Sequence, residues 1–232
     1  MDIVLVHGAW HGGWCWQRVA PQLRAAGHRV ITPTLTGLGA RQHLASDNIN
    51  VDTHVTDIIQ EIHYAEMDNI MLVGHSYGGF VITGVADQLG DQIASMIYLD
   101  AFVPTKNGQS PIELGSKVRT QDVTAATHEN FTIAPTAFAK WSKDANDIAW
   151  LKKMTTPHPI RCFADGITLS ENPTTARKMY LLCKQNTPSA FHGFYEIYNG
   201  QDGWDTDVFD CLHDAMVERP ELVIQKILEF AN

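Results

Sequence analysis

The chain has 232 residues, a formal net charge of −9, and 19% charged residues. This length fits one domain that buries a sizeable core without disulfides or structural metals. Lysine and arginine form no cluster, which argues against binding to nucleic acid or to an anionic membrane surface. No apolar run approaches transmembrane length, and no signal-peptide core follows the first methionine. The four scattered cysteines are typical of reduced thiols, and these features together predict a cytoplasmic protein.

The first hundred residues alternate short apolar runs with helix-like patterns. The apolar runs predict strands at residues 3–6, 29–32, 70–73 and 93–99. Apolar residues at helical spacing predict helices at residues 14–26, 51–67 and 77–89. Strands that alternate with helices indicate a mostly parallel sheet with helices on both faces, which is an α/β fold.

Residues 104–176 lack such strand-like runs and instead place aromatic residues among polar, helix-like stretches. We therefore predict a helical cap at residues 104–176, inserted into an α/β core of residues 1–103 and 177–232. The strand pattern returns at residues 179–183, followed by a helix at 190–198. A sixth strand within residues 203–209 and a closing helix at 222–230 complete the predicted core.

The pentapeptide Gly74-His75-Ser76-Tyr77-Gly78 matches the pattern G-x-S-x-G. It directly follows a predicted buried strand and directly precedes a predicted helix. In this setting a sharp, strained turn lifts a serine hydroxyl above the sheet as a nucleophile. The alternative is a glycine-rich turn without a catalytic role, which does not require this setting. We therefore predict that Ser76 is a catalytic nucleophile.

A serine nucleophile also needs oxyanion donors and a general base. The first strand ends at the same sheet edge as the serine turn, so the backbone N–H groups of Ala9 and Tyr77 are the predicted donors. His213 lies between the last predicted strand and the closing helix, where the base of such a site is expected. His192 is the competing base, but it falls in a predicted helix.

No cofactor or metal site is predicted. Gly8 and Gly13 have the spacing of a phosphate-binding loop, but Trp14 stands where that loop needs a lysine. His7 and His11 are four residues apart, yet the glycines around them indicate a loop rather than a metal-binding helix.

Four segments together resemble the small α/β-hydrolases related to plant methyl-ester esterases and hydroxynitrile lyases, most of all the bacterial esterases of that group. The segments are residues 3–16 (IVLVHGAWHGGWCW), 74–79 (GHSYGG), 98–104 (YLDAFVP) and 212–216 (LHDAM). The resemblance covers the chain except the predicted cap. It implies the α/β-hydrolase fold with a six-stranded sheet, no cofactor, and oxyanion donors at Ala9 and Tyr77.

The chain departs from this family at three positions. The lyases carry a threonine where Gly8 stands and a lysine where Asp214 stands, so lyase chemistry is disfavoured. The family places its triad aspartate at the position of Asn186, and an amide cannot orient the histidine as a carboxylate does. We therefore predict Asp100, at the end of the fourth strand, as the triad acid. A structural role for Asp100, with the acid among Asp202, Asp205, Asp207 and Asp210, remains the alternative.

The predicted reaction is hydrolysis of a small, apolar or aromatic carboxylic ester, or of a related carbamate or lactone, through an acyl-enzyme. Trp10, Trp141 and Trp150 are the predicted substrate-binding residues, although cap aromatics could equally serve only to hold the cap on the sheet. The alternatives are a hydroxynitrile lyase-like enzyme and a non-catalytic ligand-binding member of the same fold. The predicted partner is the ester substrate, with no nucleic acid and no membrane, and a homodimer is compatible with the sequence.

Overall fold

The apolar runs of the sequence form a parallel six-stranded sheet. The structure is a computed structural model that describes residues 1–116, 120–135, 138–170 and 174–231. Its strands are β1 Asp2–Val6, β2 Arg29–Ile31, β3 Ile70–His75, β4 Ile93–Leu99, β5 Thr132–Ile133, β6 His158–Pro159, β7 Arg177–Cys183 and β8 Trp204–Phe209. The main sheet has the order β2-β1-β3-β4-β7-β8, and all of its pairings are parallel. The carboxyl ends of β3 and β4 therefore lie side by side at one edge, where ligands gather in α/β folds.

Helices cover both faces of this sheet. They are α1 Ala20–Ala25, α2 Val51–Tyr64, α3 Gly78–Leu89, α4 Thr120–Thr124, α5 Ala145–Met154, α6 Arg161–Ala164, α7 Phe191–Tyr198, α8 Ala215–Glu218 and α9 Pro220–Phe230. Successive strand side chains point to opposite faces, so Val4 and Val6 join the core under α2, α3 and α7, whereas Ile3 and Leu5 join the core under α1 and α9. Among the described helices, none has the length and apolar character needed to cross a membrane.

The predicted helix at residues 14–26 is wrong in its first half. A short 3₁₀ helix spans Gly13–Trp16, and α1 begins only at Ala20. Pro21 lies in the first turn of α1. Proline lacks the N–H that a helix interior requires and disfavours helical backbone at the residue before it. A single helix over residues 14–26 would have placed Pro21 in the helix interior. A separate helix therefore begins at Ala20, with Pro21 in its first turn.

A purely helical cap was predicted between β4 and β7, but this segment also contains strands. It contains α4, α5 and α6, but also β5 and β6, which form a separate two-stranded antiparallel sheet. This segment is joined to the core through Trp10, whose indole N–H donates to Ile133 O at 2.9 Å and whose carbonyl accepts from Thr156 N at 3.0 Å. The two-residue strands are too short for a period-2 pattern to reveal them in the sequence.

Candidate active site

Ser76 lies in a strained turn between β3 and α3. Its φ is 55°, a left-handed conformation that is costly for a residue with a side chain. Glycines allow the close packing that holds the turn: a Cβ at Gly74 would lie 2.7 Å from Gly78 O, and a Cβ at Gly79 would lie 2.0 Å from Phe102 O. The turn therefore depends on Gly74 of the G-x-S-x-G pattern and on Gly79 directly after the pattern, and it places Ser76 at the carboxyl edge of the sheet.

Asp100 and His213 form a short hydrogen bond at the same edge. His213 Nδ1 lies 2.6 Å from Asp100 Oδ2, and Asp100 is fully buried directly after β4. The other carboxylate oxygen, Oδ1, accepts from Cys183 N at 3.1 Å. A carboxylate is an acceptor, so His213 Nδ1 carries the proton and Nε2 of the neutral ring keeps a lone pair. This is the tautomer that a general base requires.

Asn186 is also part of this arrangement, although it is not the acid. Its side-chain Nδ2 lies 2.7 Å from Asp100 Oδ2 and 3.1 Å from His213 Nδ1. Two nitrogen donors do not hydrogen-bond to each other, so the amide and the imidazole converge on the same carboxylate oxygen. Asn186 therefore stabilises the Asp100 carboxylate in place.

Three of the other acidic candidates lie on β8 or directly after it, each in an ion pair with a lysine or an arginine. Asp205 pairs with Arg177, Asp207 with Lys226, and Asp210 with Lys184. Asp202 is exposed. Within the described parts of the chain, Asp100 is thus the acid that hydrogen-bonds to His213.

Packing fixes the orientation of the His213 ring. The ring stacks on Phe191, with centroids 5.2 Å apart and an interplanar angle of 8°. His213 N donates to Lys140 O at 3.1 Å, and His213 O lies 3.0 Å from His75 Nε2. Burial lowers the pKa of His75 well below its usual value, so His75 is a neutral donor to this carbonyl rather than a base. His192 hydrogen-bonds to Lys184 O from α7 and is not among the described residues that line the cavity.

A cavity of about 330 Å³ brings the predicted residues together. Ser76, His213, Ala9 and Tyr77 line it, and so do the aromatic residues Trp10, Phe102, Trp141, Phe163 and Phe191. Trp10 stacks on Trp141 with ring centroids 5.9 Å apart. The N-terminus of α3 follows Tyr77 directly, so its partial positive charge is directed toward an anion beside Ser76.

Trp150 does not line this cavity, which corrects the prediction from the sequence that it binds substrate. Its ring packs edge-on against Trp14 at a centroid distance of 4.9 Å, and the Arg18 guanidinium lies 5.6 Å from its centroid. It is absent from the described lining of the cavity. Trp150 therefore fastens α5 to the core, one of the two roles considered for the cap aromatics.

Two clusters of described residues have metal-ligating side chains close together, and each of their histidines has at least one ring nitrogen in a hydrogen bond. One cluster is His54, His158 and Cys162, and the other is His75, His213 and Asp214. His158 Nδ1 accepts from Trp10 N at 3.1 Å, so its other nitrogen carries the proton and is not a free ligand. In the second cluster, His213 Nδ1 is bound to Asp100 and His75 Nε2 donates to a carbonyl.

The two positions that distinguish the lyases have different surroundings here. A Cβ at Gly8 would lie 2.8 Å from His75 Nδ1 and 2.9 Å from Ser76 Cβ, so a threonine would require the neighbouring side chains to move. Asp214 is fully buried, and its carboxylate lies 3.0 Å from His11 Nε2. Neither position offers a hydroxyl or an ammonium group to a cyanohydrin.

Comparisons with known proteins identify the family of the chain. A family model described as "Alpha/beta hydrolase family" matches residues 3–226. A carbendazim hydrolyzing esterase from Nocardioides sp. (strain SG-4G) is 38% identical, over 97% of this chain and 98% of that protein. Methylesterase 2 from Arabidopsis thaliana is 38% identical, over 99% and 95% respectively. An extracellular alpha/beta-hydrolase from a Paenibacillus species has a TM-score of 0.82 at 22% identity, over 99% of this chain and 98% of that chain.

The chain belongs to the alpha/beta hydrolase family. The predicted fold class is confirmed, and so is the resemblance to esterases of this group, because both sequence relatives are named esterases. The structural neighbour, at 22% identity, adds support for the fold alone.

Several residues at the site were not anticipated from the sequence. Phe102, Phe163 and Phe191 line the cavity, and the Tyr77 hydroxyl lies 2.9 Å from His54 Nδ1. These residues come from separate parts of the chain, so no local spacing relates them. Asn186 could have been found, because its position after β7 is where the family places its acid.

Proposed function

We propose that the protein is a serine esterase that cleaves a small, apolar or aromatic carboxylic ester through an acyl-enzyme. One observation carries the proposal: Asp100 and His213 are hydrogen-bonded at 2.6 Å, and His213 lines the same cavity as Ser76 on its strained turn. A buried carboxylate bound to Nδ1 of a histidine beside a strained serine is the arrangement that activates a hydroxyl nucleophile.

The mechanism follows from these positions. Ser76 Oγ attacks the ester carbonyl carbon while His213 Nε2 takes its proton, and Asp100 stabilises the imidazolium that forms. The carbonyl oxygen becomes an oxyanion that accepts hydrogen bonds from the N–H groups of Ala9 and Tyr77. His213 then gives its proton to the departing alcohol oxygen. Water attacks the acyl-serine with His213 again as base, which releases the acid and restores Ser76.

The lining of the cavity supports an uncharged, partly aromatic substrate. Aromatic side chains form much of the wall, and Lys140 is the one lysine, arginine or carboxylate residue among the described lining residues. A volume of about 330 Å³ admits a small ester, and a carbamate or a lactone would suit the same groups. Lys140, Trp141 and Phe163 belong to residues 104–176, so we infer that this insertion acts as the cap over the cavity.

The test is the substitution Ser76→Ala, assayed with p-nitrophenyl esters and with a fluorescent organophosphonate. We expect hydrolysis to fall by a factor on the order of 10⁶ and labelling to disappear, because only binding and oxyanion stabilisation remain. Ser189→Ala is the matched control, since Ser189 lines the same cavity and hydrogen-bonds to His192. Wild-type turnover in Ser76→Ala would overturn the proposal, and failure of the wild type to release p-nitrophenol would favour a ligand-binding protein.

A further inference from the structure

A second histidine–aspartate pair lies behind the loop that carries Ala9. His11 Nε2 lies 3.0 Å from Asp214 Oδ2, and the two side chains are 2% and 0% exposed. His11 belongs to residues 7–11, here called the oxyanion loop. Asp214 belongs to residues 210–214, here called the base loop, and directly follows His213. The pair therefore joins the two loops that carry predicted groups of the site.

Both nitrogens of the His11 ring face acceptors. Nδ1 lies 2.7 Å from Ala9 O, and a carbonyl oxygen can only accept. Nε2 faces the carboxylate of Asp214, so a ring that donates from both nitrogens carries a positive charge. Burial lowers the pKa of His11. The Asp214 charge and the hydrogen bonds to Asp214 and Ala9 together raise this pKa by more, so the net shift is upward. The pair is a buried ion pair.

His11 also holds the peptide that contains the Ala9 N–H group. His11 N donates to Gly8 O at 3.4 Å, and His7 Nδ1 donates to the same oxygen at 2.8 Å. Burial lowers the pKa of His7 to about 3, so its ring is neutral; Nδ1 carries the proton and Nε2 accepts from Leu35 N. In a trans peptide the C=O and N–H groups point in opposite directions, so anchoring Gly8 O directs Ala9 N–H to the opposite side.

The contact at Ala9 O fixes the next peptide along the chain. That peptide leads into Trp10, whose φ of 66° is a left-handed conformation for a bulky residue. Such strain persists only where the surroundings hold it. His11 thus holds both peptides that flank Ala9, one through its main chain and one through its ring.

We propose that His11 and Asp214 form a positioning pair that directs the Ala9 N–H group toward the oxyanion and fixes its position relative to His213. The inference rests on the proposed function, because it takes Ala9 as an oxyanion donor. Neither residue is among the described cavity-lining residues, so the pair acts through the loops. Losing one oxyanion donor lowers kcat by about 10²–10³-fold, so a misdirected donor should lower kcat by roughly 10–100-fold with little change in KM.

The test compares Asp214→Asn, His11→Leu and the double variant on a p-nitrophenyl ester. We expect kcat to fall roughly 10–100-fold in each single variant, and the double variant to lose far less than the product of the two losses, because the residues act as a unit. His11→Asn is the rescue variant, since its side-chain NH₂ can replace Nδ1 as the donor to Ala9 O. Asp205→Asn is the matched control, since Asp205 is exposed on β8 and pairs with Arg177.

A second readout separates positioning from general loss of structure. Benzyl trifluoromethyl ketone forms a tetrahedral oxyanion with a serine nucleophile, whereas benzyl methyl ketone binds without forming one. Affinity for the trifluoromethyl ketone should fall in proportion to kcat/KM, and affinity for the methyl ketone should stay near that of the wild type. Equal weakening of both ketones, or unchanged kcat in the single variants, would overturn the inference. If Ser76→Ala abolishes activity while Asp214→Asn does not, only the positioning role is wrong.

Discussion

Among the described residues, two buried histidine–aspartate pairs are hydrogen-bonded, and they differ in what the second ring nitrogen of the histidine faces. In the pair His213–Asp100, the aspartate binds Nδ1 and the ring lines the cavity, which leaves Nε2 with a lone pair. In the pair His11–Asp214, the aspartate binds Nε2 and Nδ1 donates to Ala9 O. The first ring can therefore accept a proton at Nε2, whereas the second ring has no nitrogen left to accept one.

The two carboxylates also differ in how their charge is stabilised. Asp100 accepts from Cys183 N and from the Asn186 amide in addition to His213, so its charge is stabilised while His213 is neutral. Asp214 Oδ1 has no hydrogen-bond partner among the described residues, although His75 Nε2 lies 3.8 Å away. A buried charge with few hydrogen bonds needs an opposite charge. Surrounding donors therefore allow Asp100 to serve a base that gains and loses a proton, whereas Asp214 depends on the positive charge of His11.

The largest effect that separates the pairs is expected from Asp100→Asn. An amide at this position cannot stabilise the imidazolium and favours the wrong tautomer of His213, so kcat should fall by about 10⁴-fold. Steady-state hydrolysis of a p-nitrophenyl ester measures this loss, and circular dichroism checks the fold.

The control for this change is again an exposed acid. Asp205→Asn should keep the activity of the wild type, because Asp205 lies in a surface ion pair on β8. Near-normal turnover in Asp100→Asn, or a loss of about 10⁴-fold in Asp205→Asn or Asp207→Asn, would mean that the triad acid is one of the aspartates on or near β8.

A smaller effect is expected from Asn186→Leu. The substitution removes one donor from Asp100 Oδ2, and a hydrogen bond to a charged group contributes about 1.5–3 kcal/mol. We expect kcat to fall on the order of tenfold, because His213 and Cys183 N still hold the carboxylate. Comparison of kcat for Asn186→Leu and for the exposed-site variant Asn199→Leu measures the effect. A loss as large as that of Asp100→Asn would mean that Asn186 does more than orient the acid.

The smallest expected effect is on the free energy of unfolding, and it concerns the pair His11–Asp214. The pKa of His11 is raised in the folded protein, so its contribution to stability is fully present below the unfolded value of about 6.5 and is lost as pH rises through the folded pKa. The stability advantage of the wild type over Asp214→Asn should therefore shrink as pH rises from below about 6.5 through the raised pKa of folded His11. Urea unfolding at several pH values measures this difference. An advantage that grows with pH would contradict the ion pair.

Much of the sheet was predictable because buried parallel strands are continuous apolar runs. The fourth strand was predicted at the residues where β4 lies, and β3 begins where predicted but continues through His75. The boundaries near Pro21 and the two-residue strands β5 and β6 were not predictable, because they depend on helix-start geometry and on pairing across the chain.

By itself, the sequence determined the turn at Ser76, since its glycines are the residues that allow such close backbone packing. It also predicted Asp100 directly after the fourth strand and His213 in the loop after the last strand, at the same edge of a parallel sheet. Only the tertiary structure decided which nitrogen each aspartate binds, that Asn186 supports Asp100, and that Trp141 lines the cavity while Trp150 does not. These choices depend on side-chain direction between residues up to 203 positions apart, and periodicity along the chain carries no information about that direction.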